Sequence, residues 1–93
     1  MAAFVIWEQT AITDRDKLEA YRKGVLPTIV RYGGKVLGAG IPKAVEGTIS
    51  AERMVVIEFE NLDKAHAWYA SAEYAGVKTF RHERARGNLI FVG

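Results

Sequence analysis

The chain contains no cysteine. Disulfides, thiol catalysis and thiolate metal sites are therefore excluded, and the compartment is left open. Charge of one sign is also scarce: 13 Lys and Arg against 11 Asp and Glu leave a formal net charge of +2. That excess lacks the dense basic patch expected of a nucleic-acid binder. No apolar run approaches the ~18 residues that a membrane span needs. The opening residues, MAAFVIWEQT, lack a basic start and a long apolar run, so no signal peptide is expected. No internal repeat or low-complexity segment is found. These absences predict a soluble cytoplasmic protein with no membrane or nucleic-acid partner.

What is present is apolar and short. Residues 1–93 make one domain, and 49% of them are hydrophobic, which argues against disorder. A chain of this length buries a modest share of its surface and is marginal as a monomer.

Residues 3–10, AFVIWEQT, predict a strand. Phe4, Ile6 and Glu8 share one face, and Val5, Trp7 and Gln9 the other. Both faces begin apolar, which suits a central strand. Thr13 then opens a capping-box-like T-D-R-D. Leu18, Tyr21, Val25, Ile29 and Tyr32 form a helical stripe. Gly24 and Pro27 lie within it, so the helix is expected to kink between them or to split in two. Gly33 is placed to end it in a left-handed conformation.

Lys35 to Ala39 predicts an edge strand, with Gly38 and Gly40 marking a bulge or close approach and Pro42 barring a central position. An irregular arm follows from Ala44 to Ile49. Arg53 to Phe59 predicts a second well-defined strand. Its Val55, Ile57 and Phe59 should meet the helices. Met54, Val56 and Glu58 face the other way, onto a surface that no third helix is available to cover. A second copy of the chain is the economical cover.

Asn61 caps the next helix, with Asp63 in its first turn. Leu62, Ala65, Tyr69, Ala72, Gly76 and Phe80 recur along it at helical spacing. If Ser71 ends one segment and caps the next, Tyr74, Val77, Arg81 and Arg84 share a stripe instead. Arg84 to Gly87 is expected to turn, and Asn88 to Val92 to form the last strand. The order strand, helix, strand, strand, helix, strand predicts an α+β, ferredoxin-like βαββαβ sandwich. Its antiparallel sheet would carry both helices on one face.

With those segments laid out, the chain resembles the family known as domain of unknown function 1330, within the dimeric α/β-barrel superfamily. The resemblance spans nearly the whole chain. It rests on the early aromatic-rich strand, on LPTIVRYGGKVLGAG, on Val45 to Gly47, on ERMVVIEF, and on AHAWYASAEY followed by Arg81. It implies a ferredoxin-like protomer whose sheets pair across a two-fold axis. It implies little about activity. Neighbouring families on this fold include cofactor-free quinone-forming monooxygenases, lactone isomerases, haem enzymes and ligand-binding regulators.

Several residues are candidates for chemistry. Glu58 is a candidate general base if it faces a small apolar cavity, and otherwise an interface carboxylate paired with an arginine. Arg81, on a half-apolar stripe, either pairs internally with Glu46 or Glu58 or clamps a ligand carboxylate. Glu46 is alternatively a cap on a cavity mouth. His66 is a candidate for proton transfer, and a surface histidine otherwise. His66 and His82 have no partner at metal-ligand spacing, so no metal site is expected. Either would be needed as an axial ligand for haem, and nothing else supports haem; no cofactor is expected. Trp7, Tyr21, Tyr32, Trp68, Tyr69 and Tyr74 either line an aromatic pocket or fill the core.

The functional expectation is a small cytoplasmic homodimer with a small-molecule cavity near the sheet–helix boundary. One alternative is a cofactor-independent enzyme, monooxygenase- or isomerase-like, moving a proton on a small aromatic or keto-acid substrate. The other is a ligand-binding or regulatory module without catalysis. Glu58 and His66 are the catalytic candidates, and Arg81, Tyr74, Trp68, Tyr69 and Glu46 the ligand-binding ones.

Overall fold

The computed structural model describes residues 1–12 and 18–93, so the cap expected at Thr13 lies outside the described residues. The elements are β1 (Ala3–Ile12), α1 (Leu18–Arg31), β2 (Lys35–Gly40), β3 (Arg53–Phe59), α2 (Leu62–Tyr69), α3 (Ala72–Arg84) and β4 (Ala85–Val92). The strands make one antiparallel sheet in the order β2-β3-β1-β4. This is the ferredoxin-like α+β arrangement. β1 is central and β2 lies at an edge, where the glycines and Pro42 placed it. A register shift between Val36 and Gly38 leaves Leu37 as the bulged residue.

Strand alternation sorts the residues. Val5, Trp7 and Gln9 on β1, with Ile57 and Phe59 on β3, are buried on the face that carries the helices. The core joins Val5, Ile57 and Phe59 to Ile29, Ala65, Trp68 and Tyr74. On the reverse face, Phe4 is opposite Glu58 and Val92, and Ile6 is opposite Val56 and Ile90. Ile90 and Val92 are 44% and 49% exposed there. The Cα frame measures 31 × 31 × 16 Å, which is the thickness of one sheet and one helical layer.

α1 does not split. It runs from Leu18 to Arg31 as one helix with Pro27 inside it. Pro27 and Lys23, the residue whose carbonyl it leaves unbonded, both face solvent, so water can satisfy that carbonyl. The Thr28 hydroxyl bonds the Val25 carbonyl at 2.6 Å. Gly24 has a different purpose from breaking the helix. A Cβ there would lie 2.7 Å from Val77 Cγ1, so its absence lets α1 and α3 approach. The helix ends with Gly33 at φ +79°. Gly33 and Gly34 amides bond Val30 and Ile29 carbonyls at 3.0 and 2.9 Å, the paired bonds of a Schellman ending.

The second helical stretch is where the single stripe fails. Asn61 caps α2 through the Lys64 amide at 2.9 Å. Ser71 then caps α3 through the Tyr74 amide at 3.1 Å, and its hydroxyl donates to the Trp68 carbonyl at 2.7 Å. This break resets the helical phase. Ala65, Trp68, Ser71, Tyr74 and Arg81 are buried, whereas Ala72 and Gly76 are exposed. The turn expected at Arg84 to Gly87 is also absent. α3 stops at Arg84 and β4 starts at Ala85, because Ala85 and Arg86 already pair with Ile12 and Ala11.

Candidate functional site: an aromatic cavity around Arg81

Between α1 and the helix-bearing face of the sheet lies a cavity of about 210 Å³. Trp7, Val55, Ile57 and Leu89 form its floor, Val25, Leu26 and Ile29 one wall, and Tyr21, Trp68, Tyr74 and Arg81 the end. The break at Ser71 builds that end. It turns Trp68 of α2 and Tyr74 of α3 toward each other, and their rings stack at 4.3 Å with a 30° tilt. Trp68 Nε1 donates to Thr28 Oγ1 at 3.0 Å, so the indole edge is satisfied and its face remains for packing.

Arg81 is 8% exposed. Its Nε donates to Tyr74 Oη at 3.1 Å, and its Nη2 lies 3.1 Å from His82 Nε2. A guanidinium can only donate, so His82 Nε2 accepts and its ring carries the proton on Nδ1. The guanidinium carbon sits 4.8 Å from the Trp7 ring centre, a cation–π contact. Among the described residues no carboxylate pairs with Arg81, and no carboxylate lines the cavity.

Tyr21 closes the set, with its hydroxyl 3.4 Å from that of Tyr74. Burial pushes the Tyr21 phenol well above its ordinary range, Tyr74 adds to this, and Arg81 offsets only part. Tyr21 is therefore a neutral phenol at physiological pH. At the other side of the cavity, Trp7 Nε1 donates to Gln9 Oε1 at 3.4 Å, and Gln9 Nε2 donates to Glu52 Oε1 at 2.9 Å. Arg22 and Arg53 complete the lining there. Burial, then the nearby Arg22 charge, lowers the Arg53 pKa, so the rim brings two guanidinium groups within each other's field. The chamber is apolar and aromatic, and the charged residues that line it among the described ones are Arg22, Arg53 and Arg81. Its chemistry suits a flat anion.

The model of the family described as domain of unknown function 1330 matches residues 2–93. The chain belongs to the DUF1330 family. No curated protein matches this DUF1330 sequence. Solved structures share its fold. A protein of unknown function from Rhodopseudomonas palustris is 14% identical, with a TM-score of 0.73 over 98% of this chain and 79% of that one. SnoaB, a cofactor-independent oxygenase from Streptomyces nogalater, is 8% identical, with a TM-score of 0.73 over 99% of this chain and 91% of its own. HapK from Hahella chejuensis is 12% identical, with a TM-score of 0.62 over 98% and 90% of the two chains.

Of the residues singled out from sequence, this DUF1330 chain brings Trp68, Tyr74 and Arg81 together in the cavity. Tyr69 sits behind them, edge-on to Trp68 at 6.3 Å and under Lys78 Nζ at 4.4 Å. The pairing of Arg81 with Glu46 or Glu58 does not form. Glu58 points to the reverse face of the sheet and meets Lys35 Nζ at 3.5 Å, beside an open depression lined by Gly33 and Glu60. Strand alternation alone puts it on the far side from Arg81. Glu46 is exposed on the arm between β2 and β3, and His66 is exposed on α2 with its ring 4.8 Å from Phe91. Gln9, Arg22 and Arg53 were missed as lining residues. Gln9, 3% exposed on the Val5 and Trp7 face, carried a signal: a polar residue in phase with a buried face. Among the described residues no three His, Asp or Glu side chains gather as a metal site, and no helix is long and apolar enough to cross a membrane.

Proposed function

We propose that this DUF1330 protein binds a small, flat, negatively charged molecule in the cavity between α1 and the sheet, and that it does so as a homodimer. Arg81 carries the reading. It is a buried cation in an aromatic chamber whose partners are a phenol and an imidazole rather than a carboxylate. Removing a guanidinium from water costs several kcal/mol, and such a cost persists where a counter-charge arrives with a ligand. The aromatic faces of Trp7, Trp68 and Tyr74 supply the flat apolar contact, and the volume suits a molecule of one ring or a short conjugated chain. The dimer rests on the reverse face of the sheet, where Phe4, Ile6, Val56, Ile90 and Val92 form an apolar surface without a helix over it. Stable pairs commonly bury ~1,200–2,000 Å² in total.

A second reading, cofactor-independent proton transfer on the same ligand, draws on the Tyr21–Tyr74 pair. Among the described residues the cavity wall has no carboxylate or imidazole. The base would then be the ligand's own oxygen or a phenol, and Glu58 and His66 would have no part. The fold it shares with SnoaB is compatible with both readings. Calorimetry with benzoate, 4-nitrophenol, benzamide and benzylamine tests the binding reading. Anions should bind, the amide weakly, and the amine not at all. Equal binding of benzylamine, or no binding by any probe, would remove it. Sedimentation at micromolar concentration should give twice the chain mass, and a clean monomer would remove the dimer.

A further inference from the structure

The hydrogen bonds around Arg81 have a direction. The guanidinium only donates, so Tyr74 Oη accepts from Nε at 3.1 Å. Donation from a cation makes the Tyr74 hydroxyl a stronger donor in turn. Its neighbour is Tyr21 Oη, at 3.4 Å. Two phenols share one hydrogen bond between them, so one O–H is left over. The pair can be bonded in either direction; when Tyr74, which accepts from the cation, is the donor, the spare O–H belongs to Tyr21, and no described residue accepts it. Tyr21 lines the cavity, so the spare donor stands in an apolar chamber.

The same contacts limit what Arg81 can grip. A carboxylate fork uses two parallel N–H groups, and the side-on pair is Nε with one Nη. Tyr74 occupies Nε and His82 occupies Nη2. That edge is taken, whereas a single oxygen needs only Tyr21 and the field of the cation behind it. We infer that the site takes an aromatic or conjugated alcohol as its anion, a phenolate or enolate with one charged oxygen, and that the Tyr21 hydroxyl is the group that receives it. This deepens the reading of the cavity as an anion site and rests on it. Arg81 then acts both through Tyr74 and by its own charge on the Tyr21 hydroxyl, as a positioning and polarising residue.

The probe is 4-nitrophenol, whose phenolate absorbs visible light, with chlorobenzene as a neutral apolar companion. Bound to the intact protein, 4-nitrophenol should ionise more readily, with about a tenfold preference for the phenolate. Tyr21→Phe should lose most of that preference and keep chlorobenzene binding, because the ring is retained. Tyr74→Phe should lose part of it by breaking the relay. 4-Nitrophenol that binds without a shift in its ionisation, or a Tyr21→Phe protein with the shift intact, would overturn the inference and leave the cavity standing. Failure of both probes to bind would overturn the cavity and the inference together. If a variant fails to fold, the absence of a shift in the wild-type protein still overturns the inference.

Discussion

Replacing Arg81 by Met separates a ligand-holding cation from a structural one. Met keeps a flexible apolar stem in the space between Trp7 and Tyr74 and removes the charge. The loss has three parts, of which the bond to the exposed His82 is the smallest. The bond to Tyr74 is charge-assisted and contributes about 1.5–3 kcal/mol. The contact over the Trp7 ring contributes about 0.5–2 kcal/mol. Against these stands the cost of holding a guanidinium that is 8% exposed with no carboxylate beside it, also several kcal/mol. The opposing quantities are of equal size, so Arg81→Met should shift unfolding stability by no more than about 2 kcal/mol in either direction. Had Arg81 been paired with a buried glutamate, removing it would strand that carboxylate and cost ~3–5 kcal/mol. Urea denaturation of the two proteins reads the difference directly, provided the slopes agree. Anion binding, followed in parallel, should fall at least tenfold. A destabilisation beyond about 3 kcal/mol would refute this, since it would mean that Arg81 holds the fold together.

Gly24→Ala should fail to deliver the stabilisation of about 1 kcal/mol that helix propensity offers, because its Cβ meets Val77 Cγ1 at 2.7 Å; pairing it with Val77→Ala should recover the gain, and a stable single variant would show that α1 and α3 can part freely. His82 is held below its ordinary range by burial, then by Arg81 and Lys78, so the folded state favours the neutral ring that accepts from Arg81. The unfolded chain binds the proton more readily, so this contribution is present above the ordinary imidazole pKa of about 6.5 and is lost as pH falls through the lowered folded value. The effect is small because His82 is exposed; melting from about pH 5 to 8 should be slightly steeper for the native protein than for His82→Gln, and identical profiles would dismiss it.

Strand positions were legible because period-2 alternation is a local signal. β3 falls on Arg53–Phe59 as read, and the bulge and edge position of β2 follow from its glycines and Pro42. The helices were harder where a residue served a neighbour rather than its own helix. Gly24 reads as a breaker from propensity alone, and only the distance to Val77 shows that it is a packing contact. The stripe through Ala72 and Gly76 assumed one continuous phase. Ser71 carried the information to reject it, since a buried cap restarts the count and delivers Tyr74 and Arg81 to the core side. No periodicity in sequence relates Arg22 and Arg53 across the cavity, because one comes from a helix and the other from a strand start.

The site and the fold therefore depend on one local event. Were α2 and α3 a single helix, Trp68 and Tyr74, six positions apart, would point about 120° away from each other and lie about 9 Å apart along the axis. They would then be unable to stack. The non-helical residues around Ser71 bring them face to face at 4.3 Å. The shift that allows the stack also turns Arg81, seven positions after Tyr74, onto the same face two turns on. An apolar core could have filled that position with Leu. A cation there instead forces the chain to bring hydrogen-bond acceptors with it, and the chain supplies Tyr74 and His82, both within seven residues of Arg81 on α3 itself. α3 brings neither Glu73 nor Glu83 to Arg81, and none of the described elements facing it across the cavity supplies a carboxylate either. The unmet requirement is electrostatic rather than steric, and the proposed anionic ligand would answer it where a larger side chain would not.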